Sequence, residues 1–417
     1  MGGEFLSIVT IAKRKWCTLL VLPLWFTIGI FAAEPPLNFS FTTQVLPEGF
    51  DRGTSYSHQK AFYFSIPLAE GNYNVTATLG DPKEACVTTV KAETRRLMLE
   101  HIRTVPGQTV ARTFTVNIRN LRVPPPPQNA PGGDRVRIND REQGALHWDD
   151  KLTLEIGDTH PCLAALSVEK AEVPTIFLAG DSTVTDQPGE TYASWGQMLP
   201  RFLKPGVGVA NHAESGETLK SFLSGLRLDK ILSQMKKGDY LFIQFGHNDM
   251  KANWPQTYAE AFTTYRQYLK VYIAEARRLG ATPVLVTPVQ RRDFDANGKA
   301  RNTLGDYPEA VRQTAKEEHT ALIDLNGMSM TFYEALGPAR APLAFAAQGR
   351  DATHHSPYGA YEIAKCIVEG IKSNHLDLAR FVLEDAPPFD PSHPDPPETW
   401  SFPASPSGGP VRPPRGN

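Results

Sequence analysis

Four short segments of this chain carry the residue types that acyl transfer requires. They are Gly180-Asp181-Ser182-Thr183, Glu214-Ser215-Gly216-Glu217, Gly246-His247-Asn248-Asp249 and Asp351-Ala352-Thr353-His354. A serine hydroxyl is a weak nucleophile at neutral pH and needs a base within hydrogen-bond reach. An imidazole is suited to take that proton, and a carboxylate must hold it in one tautomer. We therefore predict Ser182, His354 and Asp351 as nucleophile, base and orienting acid.

The negative oxygen that develops during acyl transfer also needs fixed N–H donors. The backbone N–H groups of Ser182 and Gly216 and the side-chain amide of Asn248 are the predicted donors. His355 adjoins the base, but the spacing from Asp351 favours His354. Each segment alone has a plainer interpretation, as a common turn or a helix cap; their order along the chain favours the joint catalytic one. The segment around Ser182 has Val184 where a G-x-S-x-G nucleophile elbow has its second glycine, so the usual α/β-hydrolase arrangement is disfavoured.

Alternating strand and helix patterns predict an α/β domain over residues 173–385, with a parallel sheet covered on both sides. The predicted strands are Thr175 to Ala179, Tyr240 to Phe245, Thr282 to Val286 and Ala321 to Leu325. One helix is predicted to bury Phe262, Tyr265, Leu269, Ile273 and Ala276 and to end at Gly280. Ligands bind beyond the carboxyl ends of such strands, which is where the motif segments lie.

Residues 34–172 predict an all-β sandwich, because apolar residues alternate with polar ones over several short runs. The runs at Phe62 to Ile66 and Tyr73 to Leu79 flank a Gly-Asn turn and predict a hairpin. A loop that begins at Pro124 and passes Gly132-Gly133 is predicted to be exposed. Cys86 and Cys162 both fall in this region and are able to pair, whereas Cys366 is expected to be a free buried thiol.

The two ends of the chain have distinct compositions. A basic stretch followed by an apolar run and a small Ala32-Ala33 pair predicts a secretory signal peptide over residues 1–33, and hence a secreted or periplasmic protein. An uncleaved membrane anchor is the alternative, since the run approaches the length of a bilayer span. Residues 386–417 are rich in Pro, Ser and Gly and predict a disordered tail.

The bulk composition excludes some classes of partner. Hydrophobic residues make up 41% and charged residues 21% of 417, which is ordinary for a soluble globular protein. The net charge is −2 and there is no basic run, so nothing indicates nucleic-acid binding. No cysteine spacing indicates zinc, the proposed chemistry needs no metal or organic cofactor, and no pattern indicates an oligomeric state.

The motif set resembles the SGNH (GDSL-type) hydrolases, a family named for its Ser, Gly, Asn and His. Longer stretches resemble the rhamnogalacturonan acetylesterases of carbohydrate esterase family 12. They are Gly180 to Thr185, Ser194-Trp195-Gly196, Phe245 to Asp249, Val286 to Val289 with Arg291-Arg292, and Gly305-Asp306-Tyr307. The resemblance spans about residues 173 to 375. Glu217 departs from it, since relatives often carry Arg there.

The resemblance implies a three-layer α/β/α, flavodoxin-like catalytic domain preceded by a sandwich of galactose-binding-like type. It also implies an esterase that removes acetyl groups from a plant polysaccharide, most simply pectic rhamnogalacturonan. Arg291, Arg292 and His355 are the candidate substrate-binding residues, the arginines through galacturonate carboxylates. The alternatives for these residues are solvated loop arginines and, for His355, a packing role beside the base. The alternatives are an acetyl-xylan esterase, a lipase-like esterase, or a carbohydrate-binding protein with a vestigial esterase domain.

Overall fold

The computed structural model describes residues 35–41, 61–384, 386 and 388–406. The predicted signal peptide therefore lies outside the described residues. Contacts join the described chain from Pro36 onward into one unit, so its two halves can be related to each other. Within the described residues, no helix is both long enough and apolar enough to cross a membrane.

Two antiparallel sheets form the N-terminal half, and their apolar faces share one core. One sheet has the order β1-β8-β3-β6 and the other has the order β2-β7-β4-β5. The strands are β1 (Leu37–Ser40), β2 (Phe62–Pro67), β3 (Gly71–Leu79), β4 (Cys86–Ala92), β5 (Arg96–Thr104), β6 (Val110–Ile118), β7 (Lys151–His160) and β8 (Leu163–Lys170). The predicted sandwich is confirmed, and a disulfide joins Cys86 to Cys162.

The predicted hairpin between β2 and β3 is wrong. β2 pairs with β7, whereas β3 pairs with β6 and β8, so the two strands belong to opposite sheets. The intervening residues cross from one sheet to the other. Both strands still point their alternating apolar side chains into the common core, which is why Phe64 and Val75 are both fully buried. Alternation identified the strands but could not identify their partners.

The C-terminal half contains a five-stranded parallel sheet of order β10-β9-β11-β12-β13. Its strands are β9 (Thr175–Gly180), β10 (Gly208–Asn211), β11 (Tyr240–Gln244), β12 (Thr282–Val286) and β13 (Ala321–Ile323). When the five strands are numbered along the chain, this order is 2-1-3-4-5, as in flavodoxin. In that order the second strand is added on one side of the first, and the later strands are added on the other side. The predicted α/β class and parallel sheet are therefore confirmed. The carboxyl ends of β9 and β11 lie side by side at that reversal.

Helices cover both faces of this sheet and give three layers. One core contains residues of α1, α6 and α7, and the other contains residues of α2 to α5. The helices are α1 (Trp195–Met198), α2 (Leu219–Ser224), α3 (Arg227–Gln234), α4 (Arg266–Arg278), α5 (Tyr307–Glu317), α6 (Leu325–Arg340) and α7 (Pro357–Ser373).

The helix predicted from Phe262 onward is α4 with a preceding π-helical turn, Ala261–Tyr265. Tyr265, Leu269 and Ile273 are buried as expected, but Phe262 is 39% exposed. The wider π turn rotates Phe262 away from the α-helical stripe, so its predicted burial is wrong.

The prediction of a disordered tail is wrong for residues 388–406. This segment runs over the folded domain, where Phe389, Trp400 and Phe402 pack against the core. Lys91 Nζ donates to the Pro403 carbonyl at 2.6 Å. The prediction failed because it relied on the low content of aliphatic residues, whereas aromatic rings and backbone carbonyls make these contacts. Residues 407–417 lie outside the described residues.

Candidate active site

A tight turn after β9 presents Ser182 at the carboxyl edge of the sheet. Asp181 stabilises this turn, because its Oδ1 accepts from the Thr183 backbone N–H at 2.9 Å and from the Thr183 hydroxyl at 2.8 Å. The Asp181 carbonyl accepts from Val184 and Thr185. Gln187 Nε2 donates to the Ser182 carbonyl at 2.7 Å. Ser182 is therefore held from both sides in a nearly buried position.

Ser182, His354 and Asp351 form a continuous hydrogen-bonded series. The Ser182 hydroxyl lies 2.9 Å from His354 Nε2, and His354 Nδ1 lies 2.9 Å from Asp351 Oδ2. The other Asp351 oxygen accepts from the backbone N–H groups of Thr353 at 2.7 Å and His354 at 2.9 Å. The structure thus brings together the three side chains that the sequence selected, in the order that a nucleophile, base and orienting carboxylate need.

Opposing effects act on the Asp351 carboxyl. Burial raises the pKa of this carboxyl. The hydrogen bond from His354, the charge of His354 and the two backbone donors lower it by more, and the resulting pKa is about 2. The carboxylate therefore stays ionised across the neutral range and is able to hold a protonated imidazole.

The segments that carry Gly216 and Asn248 lie against each other and against the serine turn. Asn248 Nδ2 donates to the Glu217 carbonyl at 3.0 Å. The Glu214 backbone N–H donates to the Gly180 carbonyl at 3.1 Å. His247 Nδ1 lies 3.3 Å from Asp181 Oδ2. Direct contacts therefore hold the three loops together.

His247 is a buried ring at the centre of this arrangement. Burial lowers its pKa and the charges of Arg291 and His354 lower it further, whereas Asp181 raises it. The net effect is a lowered pKa, which favours a neutral ring at neutral pH.

The two arginines predicted to bind substrate have structural contacts in the free protein. Arg291 donates to the carbonyls of Thr303 at 3.1 Å and His247 at 3.4 Å. Arg292 donates to the Gly349 carbonyl at 2.7 Å, and thereby braces the loop that carries Asp351. Both side chains are only half-buried. Contact with a substrate carboxylate stays a prediction for each.

Of the two interpretations of His355, the structure supports packing and contradicts substrate binding. The residue is 1% exposed, and its ring packs at a tilt against Phe345 and Tyr333. Its Nε2 lies 2.7 Å from the Tyr333 hydroxyl. Burial lowers the pKa of this imidazole to about 3, so it stays neutral. His355 is therefore part of the core beside the site.

Two residues around the site had no role in the sequence prediction. Asp249 accepts from the Leu219 N–H at 2.9 Å and the Gly246 N–H at 3.0 Å, which ties the end of β11 to the start of α2. Tyr192 packs edge-on against the His354 ring, with centroids 6.0 Å apart. Asp249 could have been found from the sequence, because it lies in the Gly246 to Asp249 motif. No motif marks Tyr192.

The described residues contain no group of acidic, His and Cys side chains arranged to hold a metal.

Comparison with known proteins defines the class. Residues 178–360 match the GDSL-like Lipase/Acylhydrolase family. The rhamnogalacturonan acetylesterase RhgT of Bacillus subtilis is 42% identical over 216 residues, covering 49% of this chain and 91% of that protein. The probable rhamnogalacturonan acetylesterase YesY of the same organism is 42% identical over 213 residues, covering 50% and 98% respectively.

A third relative is similar over a longer stretch. The uncharacterized esterase YxiM of Bacillus subtilis is 32% identical over 319 residues, covering 74% of each chain. The present chain belongs to the GDSL-like lipase/acylhydrolase family. It is a carboxylic ester hydrolase similar to rhamnogalacturonan acetylesterases.

Proposed function

We propose that this protein hydrolyses acetyl esters on a plant cell-wall polysaccharide, namely pectic rhamnogalacturonan. The observation that carries the proposal is the series Ser182–His354–Asp351, with both hydrogen bonds at 2.9 Å. The relatives named as rhamnogalacturonan acetylesterases support the choice of substrate. The signal-peptide pattern supports secretion, which a polymeric substrate requires.

In the proposed mechanism, His354 Nε2 takes the hydroxyl proton as Ser182 Oγ attacks the acetyl carbonyl. The tetrahedral oxyanion is stabilised by the Ser182 and Gly216 backbone N–H groups and the Asn248 side chain, which contribute most as the charge develops. His354 then gives the proton to the leaving sugar oxygen. A water molecule, deprotonated by the same ring, hydrolyses the acetyl-enzyme. Asp351 holds the imidazole and stabilises its positive charge.

The test combines one variant with three substrates. Ser182→Ala should lower acetate release by at least about a thousandfold, since it removes the nucleophile. Ser224→Ala, which alters an exposed serine of α2, is the matched control and should leave the rate unchanged. Unchanged turnover by Ser182→Ala would refute the proposed nucleophile.

Substrate class is tested by comparing initial rates on acetylated rhamnogalacturonan, acetyl-xylan and long-chain nitrophenyl esters. The proposal expects the highest kcat/KM on rhamnogalacturonan. A preference for acetyl-xylan would retain the acetylesterase chemistry but reject the pectic substrate. A preference for long acyl chains would reject the carbohydrate substrate altogether.

A further inference from the structure

The long connection between β6 and β7 reaches from the sandwich to the segment that carries Gly216. Arg141 lies in this connection, outside the residues 178–360 that match the family. Its Nε donates to Glu214 Oε1 at 2.7 Å, and its Nη2 donates to the Ser215 carbonyl. The Arg141 side chain is only 14% exposed. A guanidinium of the N-terminal half therefore contacts the catalytic half beside the predicted oxyanion donor.

The carbonyl that Arg141 contacts belongs to the same peptide group as the Gly216 N–H. A trans peptide is planar, so its C=O and N–H point in opposite directions and turn together. A guanidinium that holds the Ser215 oxygen therefore also sets the direction of the Gly216 N–H. Donation to this carbonyl from a charged group also polarises the amide and strengthens its N–H as a donor.

Glu214 completes the support for this peptide. Its Oε1 accepts both from Arg141 Nε and from the Ser215 backbone N–H, the latter at 2.8 Å. Glu214 and Arg141 thus form one bridge that contacts the backbone of Ser215 through both its N–H and its carbonyl. Such a bridge resists rotation of the Ser215–Gly216 peptide about its flanking bonds.

The conformation of Gly216 explains why the Ser215–Gly216 peptide needs such support. Its φ is 83°, in the left-handed region that favours glycine. Because glycine adopts positive and negative φ with similar ease, its own conformational preference opposes a flip of the preceding peptide only weakly. A flipped peptide would direct the N–H away from the oxyanion. The contact from Arg141 to the Ser215 carbonyl opposes such a flip.

We infer that Arg141 is a positioning residue for catalysis, through which the sandwich orients the Gly216 oxyanion donor. This inference rests on the proposed function, because it assigns a donor role to Gly216. It gives the N-terminal half a part in the reaction without any contact with the substrate.

The surrounding charges determine which substitutions are informative. Arg227 pairs with Glu142 at 2.5 Å and with Glu217 at 3.3 Å, and its charge, like that of Arg141, lowers the pKa of Glu214. Burial and the charge of Glu142 raise the pKa of Glu214 to about 7, while Arg141 acts to lower it. Arg141→Ala therefore removes both the hydrogen bonds to Glu214 and Ser215 and a positive charge. Arg141→Lys keeps the charge but cannot donate in two fixed directions, which separates the two effects.

The experiment measures kcat and KM on a small acetyl ester for the full chain carrying Arg141→Ala, Arg141→Lys or Arg137→Ala. Arg137 is an exposed residue of the same connection and is the control. Removing an oxyanion donor costs about a hundred- to a thousandfold in kcat, so misorienting one should cost about ten- to a hundredfold with KM within about threefold. Arg141→Lys should fall between Arg141→Ala and the wild type, and Arg137→Ala should match the wild type.

Rescue by millimolar guanidinium ion distinguishes positioning from a general loss of structure. The inference expects added guanidinium to restore part of the kcat of Arg141→Ala without raising that of Arg137→Ala. Unchanged kcat, an effect confined to KM, or a lowered kcat that guanidinium fails to restore would each overturn it. Ser182→Ala is assayed alongside: if that variant stays active, the proposed function itself has failed, whereas an inactive Ser182→Ala with a fully active Arg141→Ala overturns this inference alone.

Discussion

At the scale of single residues, Asp351 shows how a short spacing becomes a working geometry. One oxygen accepts from the backbone N–H groups of Thr353 and His354, and the other lies 2.9 Å from His354 Nδ1. The turn that satisfies the first oxygen therefore aims the second at the ring. The local turn thus sets the direction of the carboxylate, while Arg292 braces the loop from a remote segment.

Asp351→Asn is predicted to disable catalysis without displacing the other groups. The amide keeps the shape but cannot hold the imidazole in the required tautomer or stabilise its charge. We expect kcat on a small acetyl ester to fall by about a thousand- to ten-thousandfold with little change in KM. Asp293→Asn, at a partly exposed ion pair with Arg301, is the control and should retain activity. A loss of less than tenfold would contradict the role of Asp351.

The same substitution predicts a pH dependence of stability. The pKa of Asp351 is lowered to about 2 in the folded protein, against about 3.9 in an unfolded chain. Its stabilising contribution is therefore fully present above about pH 4 and is lost as the pH falls toward 2. We expect wild type to exceed Asp351→Asn by about 1 to 2 kcal/mol in unfolding free energy at pH 7, and this difference to shrink below pH 4. Urea unfolding at several pH values measures it; a difference that grows in acid would contradict the assigned cause.

Ser182, His354 and Asp351 could be predicted from sequence because each lies in a short motif at a strand end or next to a local turn. Arg141 could not, because it contacts Glu214 across 73 positions and lies in a Pro-rich connection with no motif. The sequence could not decide between substrate binding and packing for His355, because its burial depends on the packing of distant segments.

At the scale of elements, the site depends on how closely α1 approaches the serine turn. Gly196 in α1 lies against the Val184 carbonyl and near Asn211 Nδ2. Asn211, at the end of β10, in turn donates to the Val184 carbonyl at 2.7 Å. A strand end, a turn and a helix therefore meet where only a hydrogen atom fits.

Gly196→Ala is predicted to disturb this junction. The added Cβ would meet the Val184 carbonyl and lie 2.7 Å from Asn211 Nδ2, so the turn that carries Ser182 must shift. We expect a loss of about 1 to 3 kcal/mol in unfolding free energy and a measurable fall in kcat. Gly157→Ala in β7 is the control, because among the described residues its Cβ would meet Ala61 alone, at an ordinary 3.5 Å. Equal stability of the two variants by thermal unfolding would show that the junction is not tightly packed.

Periodicity predicted most of the elements but not all of their relations. The apolar runs of the parallel sheet indicated strands, and the alternation of strand and helix determined the class of fold. The partners of β2 and β3 could not be predicted this way, because strand pairing depends on contacts between remote segments. The π turn at Ala261–Tyr265 also escaped, since the apolar stripe assumes an unbroken α-helical period.

At the scale of the whole molecule, buried polar contacts join the sandwich to the esterase half. Arg96 pairs with Asp186 at 2.6 Å, with both side chains almost fully buried. Arg95 donates to the carbonyl of Gly189 at 2.6 Å, in the loop before α1. Composition could not indicate this interface, because its members are charged residues of the kind that a single sequence places at the surface. The sandwich supports the loop that precedes α1, beside the serine turn.

The segment 388–406 connects the two halves from outside, and its removal should weaken the whole fold. Trp400 packs on Tyr361 with ring centroids 5.0 Å apart, and Lys91 loses the Pro403 carbonyl if the chain ends at residue 387. Exposing these aromatic rings and leaving a buried ammonium with fewer partners should cost about 3 kcal/mol, or roughly 4 °C in Tm for a folded region of this size. A chain ending at residue 406 retains these contacts and is the matched control. Thermal unfolding at one scan rate compares the two, and kcat on a small ester at 20 °C should stay similar, because Ser182 and its partners lie elsewhere. If the shorter chain melts at the same temperature as the longer one, the segment does not stabilise the fold.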